Sequence, residues 1–157
     1  MKELINLTTL GEIQEYIEKK ENVKLKLEIS QENIITKEGH PSHYDTGDSN
    51  HMLWCRYSAS TLLSKHYKGG EFIFVDSDDN QLESFNQNSH YNKTLVYDIN
   101  HKHKVNPHYD GDRIVNLYFW SVISGDNPIV SQEVEDYINS NKSKETYDAR
   151  CFKIKNK

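Results

Sequence analysis

Disulfide pairs, basic runs and long apolar stretches are all missing from this sequence, and each absence removes a class of protein. Its two cysteines, Cys55 and Cys151, are far apart and form no CxxC pair, which disfavours a disulfide framework and favours reduced thiols. The net charge of −5 and the lack of a basic run argue against a nucleic-acid partner. No stretch has the apolar length of a signal peptide or a membrane span, so we expect a cytoplasmic protein with no membrane partner.

Apolar residues are also scarce, and aromatic residues compensate for them. Hydrophobic residues make up 35% of the chain and the mean hydropathy is −0.85, so the core must be lean. Ten tyrosines and five phenylalanines supply large, flat side chains that favour strands. The length of 157 residues fits one domain, 1–157, with a real core.

The middle of the chain is a series of short predicted strands separated by turns. This pattern favours a mainly β sandwich or barrel over about residues 22–125, with helical flanks at 8–20 and 131–145. Two polar or turn-rich segments are predicted to lie at the surface: residues 76–93, and the turn "NPHYDGD" that contains His108. The segment "CFKIK" near the end is predicted to form an edge strand.

All eight histidines lie between positions 40 and 108, which points weakly to metal or acid-base chemistry. The stretch "SHYDT" carries His43 and Asp45 at positions i and i+2. On a strand, this spacing directs an imidazole and a carboxylate to one side. An HxD pair arises by chance in many proteins, so the prediction depends on a further ligand downstream.

The sequence contains further motifs downstream of this pair. The HxD at His43–Asp45, the "GGEFIF" at Gly69–Phe74 and the HxVxP…GxR from His103 to Arg113 occur in that order. Together they resemble the prolyl 4-hydroxylase-like branch of the 2-oxoglutarate/Fe(II) dioxygenases over roughly residues 33–122. The resemblance implies a double-stranded β-helix, or jelly-roll, barrel.

The resemblance also implies a ligand set and cosubstrates. His43, Asp45 and His103 would hold Fe(II) as a facial triad with open positions for 2-oxoglutarate and dioxygen. Arg113 would bind the far carboxylate of 2-oxoglutarate through a bidentate fork. Ascorbate is a further expected cofactor. His101 shares a strand face with His103, and the ten-residue interval to Arg113 favours His103 as the ligand.

Arg113 is a clue on its own, because in "RIVNLYFW" it shares a strand face with Val115, Leu117 and Phe119. A buried guanidinium needs an anionic partner. The alternative is that Arg113 lies at the strand mouth and reaches Asp110, Asp112 or solvent.

The sequence departs from the family in one contact. Many relatives place a tyrosine shortly before the HxD to help hold 2-oxoglutarate, and this chain has none there. The candidates for replacing that contact, each of which could equally be ordinary strand filling, are Tyr57, Ser60 and Thr61.

Three functions remain open from the sequence. The first is a dioxygenase that hydroxylates a protein side chain, with proline as the first expectation and a free amino acid or other small molecule as the alternative. The second is a non-catalytic metal-binding barrel of the same fold. The third is a cupin-like lyase or isomerase, which would not need Arg113.

Overall fold

The computed structural model describes residues 1–46 and 52–141. The predicted edge strand "CFKIK" and Cys151 lie outside these residues, as does His51. Eleven strands and three helices occur within them, in the order β1 Lys2–Ile5, α1 Leu10–Glu21, β2 Val23–Ile34, β3 His40–His43, β4 Tyr57–Leu62, β5 Lys68–Gly69, β6 Phe72–Val75, β7 Gln81–Phe85, α2 Gln87–His90, β8 Thr94–Asp98, β9 His103–Val105, β10 His108–Tyr109, β11 Ile114–Gly125 and α3 Gln132–Asn141.

The strands form antiparallel sheets, which confirms the mainly β prediction. A five-stranded sheet has the order β1-β8-β4-β11-β2, and a four-stranded sheet has the order β3-β9-β6-β7. A two-stranded sheet pairs β10 with β5. Among the described residues the strands pair as these separate sheets and not as one closed barrel.

The five-stranded sheet is covered on both faces: successive side chains of a strand point to opposite sides, and in β4 and β8 both sets are buried. Its outer face packs on α1, where Ile13 and Ile17 are fully buried against Trp120. Its inner face packs on the four-stranded sheet, where Leu95 of β8 meets Phe72 of β6 in one cluster. The functional site lies between the two sheets.

The N-terminal helix α1, Leu10–Glu21, overlaps the predicted flank 8–20. Thr9 is the N-cap residue, and its hydroxyl bonds to the Glu12 side chain rather than to a helix backbone N–H. The helix ends at Asn22, which adopts a left-handed conformation with φ of 53°. Asparagine tolerates this conformation better than most residues.

Two local expectations need correction. Residues 76–93 lie mostly at the surface, as predicted, but they also contain β7 and α2, and His90 at the end of α2 is fully buried. The turn around His108 forms β10, and His108 is 3% exposed instead of lying at the surface. At both histidines tertiary packing overrode a polar local sequence. The first residues form β1, which pairs with β8 and completes the five-stranded sheet.

Among the described residues, no helix combines the length and the apolar character that crossing a membrane would require.

Candidate metal centre

His43, Asp45 and His103 converge between the two sheets. One ligand atom from each lies within 4.8 Å of the others. β3 and β9 are paired so that His43 stands opposite His103, and Asp45 follows two residues beyond His43. The strand register therefore brings together residues that are 60 positions apart in the sequence.

Two backbone carbonyls orient the imidazoles. His43 Nδ1 lies 2.8 Å from the carbonyl oxygen of Pro41, and His103 Nδ1 lies 2.9 Å from that of His101. A carbonyl oxygen only accepts, so each Nδ1 carries the hydrogen. In the neutral imidazoles this leaves a lone pair on Nε2.

Both Nε2 atoms face the same carboxylate oxygen. Asp45 Oδ1 lies 3.3 Å from His43 Nε2 and 3.1 Å from His103 Nε2. Three lone-pair donors at these distances repel one another unless a cation joins them. Ligands about 2.1 Å from a metal in adjacent octahedral positions lie about 3.0 Å apart, so the donor set fits a divalent cation.

Asp45 is held in its anionic form although it is 5% exposed. Burial raises the pKa of its carboxyl, but without a bound cation the charge and hydrogen bonds of His103 and His43 in their protonated forms outweigh that effect, and the pKa of Asp45 lies well below the ordinary value. Asp45 Oδ2 is buried and makes no hydrogen bond with the described residues. A buried anion of this kind needs a positive partner.

Aromatic rings from both sheets surround the centre and limit its access to water. The Phe72 ring stacks on His103 with centroids 5.1 Å apart and an interplanar angle of 11°. Tyr97 contacts the other side of His103 at 4.8 Å. Tyr44, between the two predicted ligands, points away and packs against Tyr137 at 5.3 Å, as strand alternation requires.

Of the two histidines that the sequence left in competition, His103 lies in the centre. His101 instead lies 3.6 Å from Asp98 and packs against Phe74. His40 is exposed and its ring is 6.5 Å from that of His43.

Arg113 is buried on the inner face with 2% exposure. No carboxylate of the described residues pairs with its guanidinium: Asp112 lies 3.6 Å from Lys37, and Asp110 lies 3.5 Å from Lys68. The alternative in which Arg113 reaches these carboxylates or solvent is therefore wrong. Arg113 Nε has no hydrogen-bond partner among the described residues.

Tyr67, Gly70 and His108 lie around Arg113. We call these four residues the anion pocket. The Tyr67 hydroxyl lies beside the guanidinium: burial raises the pKa of Tyr67, and the Arg113 charge partly offsets that rise. Both ring nitrogens of His108 are buried and unpaired within the described part of the chain. A cation, a phenol and an unsatisfied imidazole at one place suit a carboxylate ligand.

Gly70 allows these side chains to approach each other. Its φ is +70°, and a Cβ there would lie 3.0 Å from the Tyr67 ring, 3.1 Å from His108 Cβ and 3.2 Å from Arg113 Cδ. A side chain at this position would therefore be strained and would crowd the anion pocket.

The predicted cofactor contacts on β4 lie elsewhere. Tyr57 and Thr61 are on the outer face: the Tyr57 hydroxyl donates to Glu21 at 3.3 Å, and Thr61 Oγ1 is 2.7 Å from Thr94 Oγ1. Ser60 has the inward register. This placement corrects the sequence prediction, which could not assign the two faces of a strand in which every residue is buried.

Tyr67 and His108 lie beside Arg113, and neither was predicted from the sequence to belong to the candidate site. Tyr67 lies in "KHYKGG" just before the paired glycines, and His108 lies between the third ligand and Arg113. Their positions next to the paired glycines and between His103 and Arg113 could have indicated a role in the site. Both segments have the composition of turns, which predicted exposure instead.

No protein-family model matches this sequence, and no curated protein matches it. Solved structures do match. An oxidoreductase of the 2OG-Fe(II) oxygenase family from Burkholderia pseudomallei aligns with a TM-score of 0.54 at 21% identity, over 69% of this chain and 50% of that one. The chain has the fold of the 2OG-Fe(II) oxygenases. The resemblance predicted from the sequence is confirmed at the level of the fold.

Two prolyl 4-hydroxylases share this oxygenase fold. That of Pseudomonas putida aligns with a TM-score of 0.50 at 15% identity, over 76% of this chain and 65% of that one. That of Phytophthora capsici aligns with a TM-score of 0.52 at 12% identity, over 98% of this chain and 74% of that one. The chain therefore spans half of the Burkholderia protein and about two thirds of the Pseudomonas protein.

One buried histidine near the anion pocket gives a pH prediction. His90 Nε2 donates to the Ser60 carbonyl at 2.9 Å, and burial, partly offset by this bond, lowers the pKa of His90 to about 4. The unfolded chain binds this proton below about pH 6.5, whereas the folded chain binds it only near pH 4. The contribution of His90 to the free energy of unfolding is therefore complete above about pH 6.5 and is lost as the pH falls towards 4.

We expect His90→Gln to remove this dependence. Between pH 7 and 4, the free energy of unfolding of the wild type should fall by up to about 3 kcal/mol more than that of the variant. Urea titrations at several pH values measure the difference, with the exposed His66→Gln as control. Parallel curves for the wild type and His90→Gln would refute the assignment.

Proposed function

We propose that this chain is an Fe(II)- and 2-oxoglutarate-dependent dioxygenase built on a double-stranded β-helix. The observation that carries the proposal is the combination of three converging donors, His43, Asp45 and His103, with the buried guanidinium of Arg113, which has no carboxylate partner among the described residues, on the inner face of the same sheet pair. A closed structural metal site would fill the coordination sphere with protein groups. Here three protein donors leave positions for other ligands, as in the facial triad.

Each residue has a defined task in this proposal. His43, Asp45 and His103 hold the cation, and their Nδ1–H bonds to carbonyl oxygens keep the Nε2 lone pairs directed at it. Arg113, with the Tyr67 hydroxyl, binds and orients the far carboxylate of 2-oxoglutarate. When bound together, iron and 2-oxoglutarate supply the oxidising chemistry, in which 2-oxoglutarate and dioxygen yield succinate, carbon dioxide and a hydroxylated substrate.

The substrate proposed first is a prolyl residue of a protein or peptide. Two solved proteins with this fold are named prolyl 4-hydroxylases, which supports that choice. A free amino acid or other small molecule is the alternative. Ascorbate would act only to keep the iron reduced.

A succinate-release assay tests the proposal. Purified protein is supplied with Fe(II), ascorbate and 2-oxoglutarate, and with either proline-containing peptides or pools of amino acids and metabolites. We expect succinate that depends on both Fe(II) and 2-oxoglutarate, with its rate raised by one substrate pool. Metal binding without any response to 2-oxoglutarate would instead support the non-catalytic metal-binding barrel.

A further inference from the structure

We propose that Tyr97 is a positioning residue of the metal centre, which directs its hydroxyl hydrogen to the Asp45 carboxylate and so fixes that ligand for the cation. This inference depends on the proposed function only in requiring that the centre bind a divalent metal. Tyr97 lies on the inner face of β8 and is 3% exposed.

The hydroxyl of Tyr97 lies close to one of the ligand atoms. It lies 3.5 Å from His103 Nε2, the atom that faces Asp45. Asp45 and Ser58 are its other polar neighbours. A phenol carries one O–H hydrogen, so Tyr97 has a hydrogen to donate.

The nearby atoms that can accept a hydrogen bond decide where this hydrogen points. The Nε2 atoms of His43 and His103 offer lone pairs, and Asp45 only accepts, so the ligand set contains no donor towards its own centre. When a cation binds His103 Nε2, the lone pair of that atom is occupied, so the Tyr97 hydroxyl can no longer donate to it. The Asp45 carboxylate then remains as the charged acceptor, and hydrogen bonds to charged acceptors are the stronger class.

Packing makes this donor rigid. The Tyr97 ring contacts Phe72 at 5.8 Å, Phe74 at 5.4 Å and His103 at 4.8 Å. Strand β8 is hydrogen-bonded on both sides, to β1 and β4. Fixed outer partners of metal ligands typically change metal affinity by about 10- to 100-fold when they are removed.

The test compares Co(II) binding by the full chain and by Tyr97→Phe, which keeps the ring and removes the hydroxyl. We expect calorimetry to give a dissociation constant about 10-fold or more weaker for the variant, and the Co(II) absorption bands to shift. Tyr118→Phe is the matched control, since Tyr118 is also buried but packs on the outer face; it should bind Co(II) as the wild type does.

The outcomes separate this inference from the proposed function. Wild-type protein that binds no Co(II), Mn(II) or Fe(II) would overturn both. Wild-type binding with a Tyr97→Phe affinity within twofold and an unchanged spectrum would overturn the role of Tyr97 alone. If Tyr97→Phe does not fold, nuclear magnetic resonance of the wild type decides: the Tyr97 hydroxyl or ring signals must shift on Zn(II) binding, and unchanged signals would refute the role.

Discussion

Replacing Asp45 with alanine is expected to abolish metal binding and, with it, succinate release. Asp45 Oδ1 is the atom that both imidazoles face, at 3.1 and 3.3 Å, and it supplies the negative charge among the three donors. Loss of an outer partner already costs about 10- to 100-fold in affinity, so loss of this ligand should weaken Mn(II) or Fe(II) binding by more than about 100-fold.

Thermal denaturation with and without Mn(II) checks this prediction without an activity assay. At a Mn(II) concentration about 100 times its dissociation constant, the wild type should gain about 2.7 kcal/mol. Asp45→Ala should gain nothing, and the isosteric Asp45→Asn should gain little because the charge is missing. The exposed Asp126→Ala serves as control and should respond like the wild type. Full Mn(II) stabilisation of Asp45→Ala would remove Asp45 from the centre.

Replacing Arg113 is expected to remove 2-oxoglutarate binding while leaving the metal centre loaded. A hydrogen-bonded charge pair of this kind contributes about 2–3 kcal/mol, so Arg113→Gln should weaken 2-oxoglutarate binding by roughly 30- to 150-fold. Arg113→Lys keeps the charge but loses the planar fork, and it should recover only part of the affinity.

Calorimetry with 2-oxoglutarate and Mn(II)-loaded protein measures this effect. The control is Lys68→Gln, which removes an exposed cation from the neighbouring β5 strand. Mn(II) affinity should change by less than about twofold in both variants, since Arg113 is not among the converging donors. Activity that survives in Arg113→Gln but not in Asp45→Ala would favour the cupin-like lyase or isomerase.

Strand alternation explains most of the side-chain directions that could be predicted from the sequence. Val115 and Arg113 were expected on one face of the last long strand, and Val115 is fully buried on the inner face while Trp120 packs on α1. Likewise, His43 and Asp45 were expected on one side of the chain, and they share the centre. A period of two is a local property, so short segments are enough to reveal it.

In fully buried strands, alternation could not predict which face of the sheet each residue occupies. In β4 every residue from Tyr57 to Leu62 is buried, so polar and apolar residues do not alternate with exposure. Tyr57 was consequently placed beside the site, although its hydroxyl meets Glu21 behind the sheet. The β-strand pairing that assigns these faces depends on partners far away in the chain, which no local window contains.

The sequence by itself determined which residues are the proposed metal donors and the proposed basic anchor, because HxD and the spacing from His103 to Arg113 are local patterns of chemical type. Only the tertiary structure decided that Tyr67, His108 and Tyr97 lie beside them and that His90 is buried nearby. Those four side chains come from a bend, the short strand β10, an inner strand and a short helix, and they meet only because the sheets pack against each other. Burial and hydrogen-bond partners are properties of that packing and leave no periodic trace in the chain.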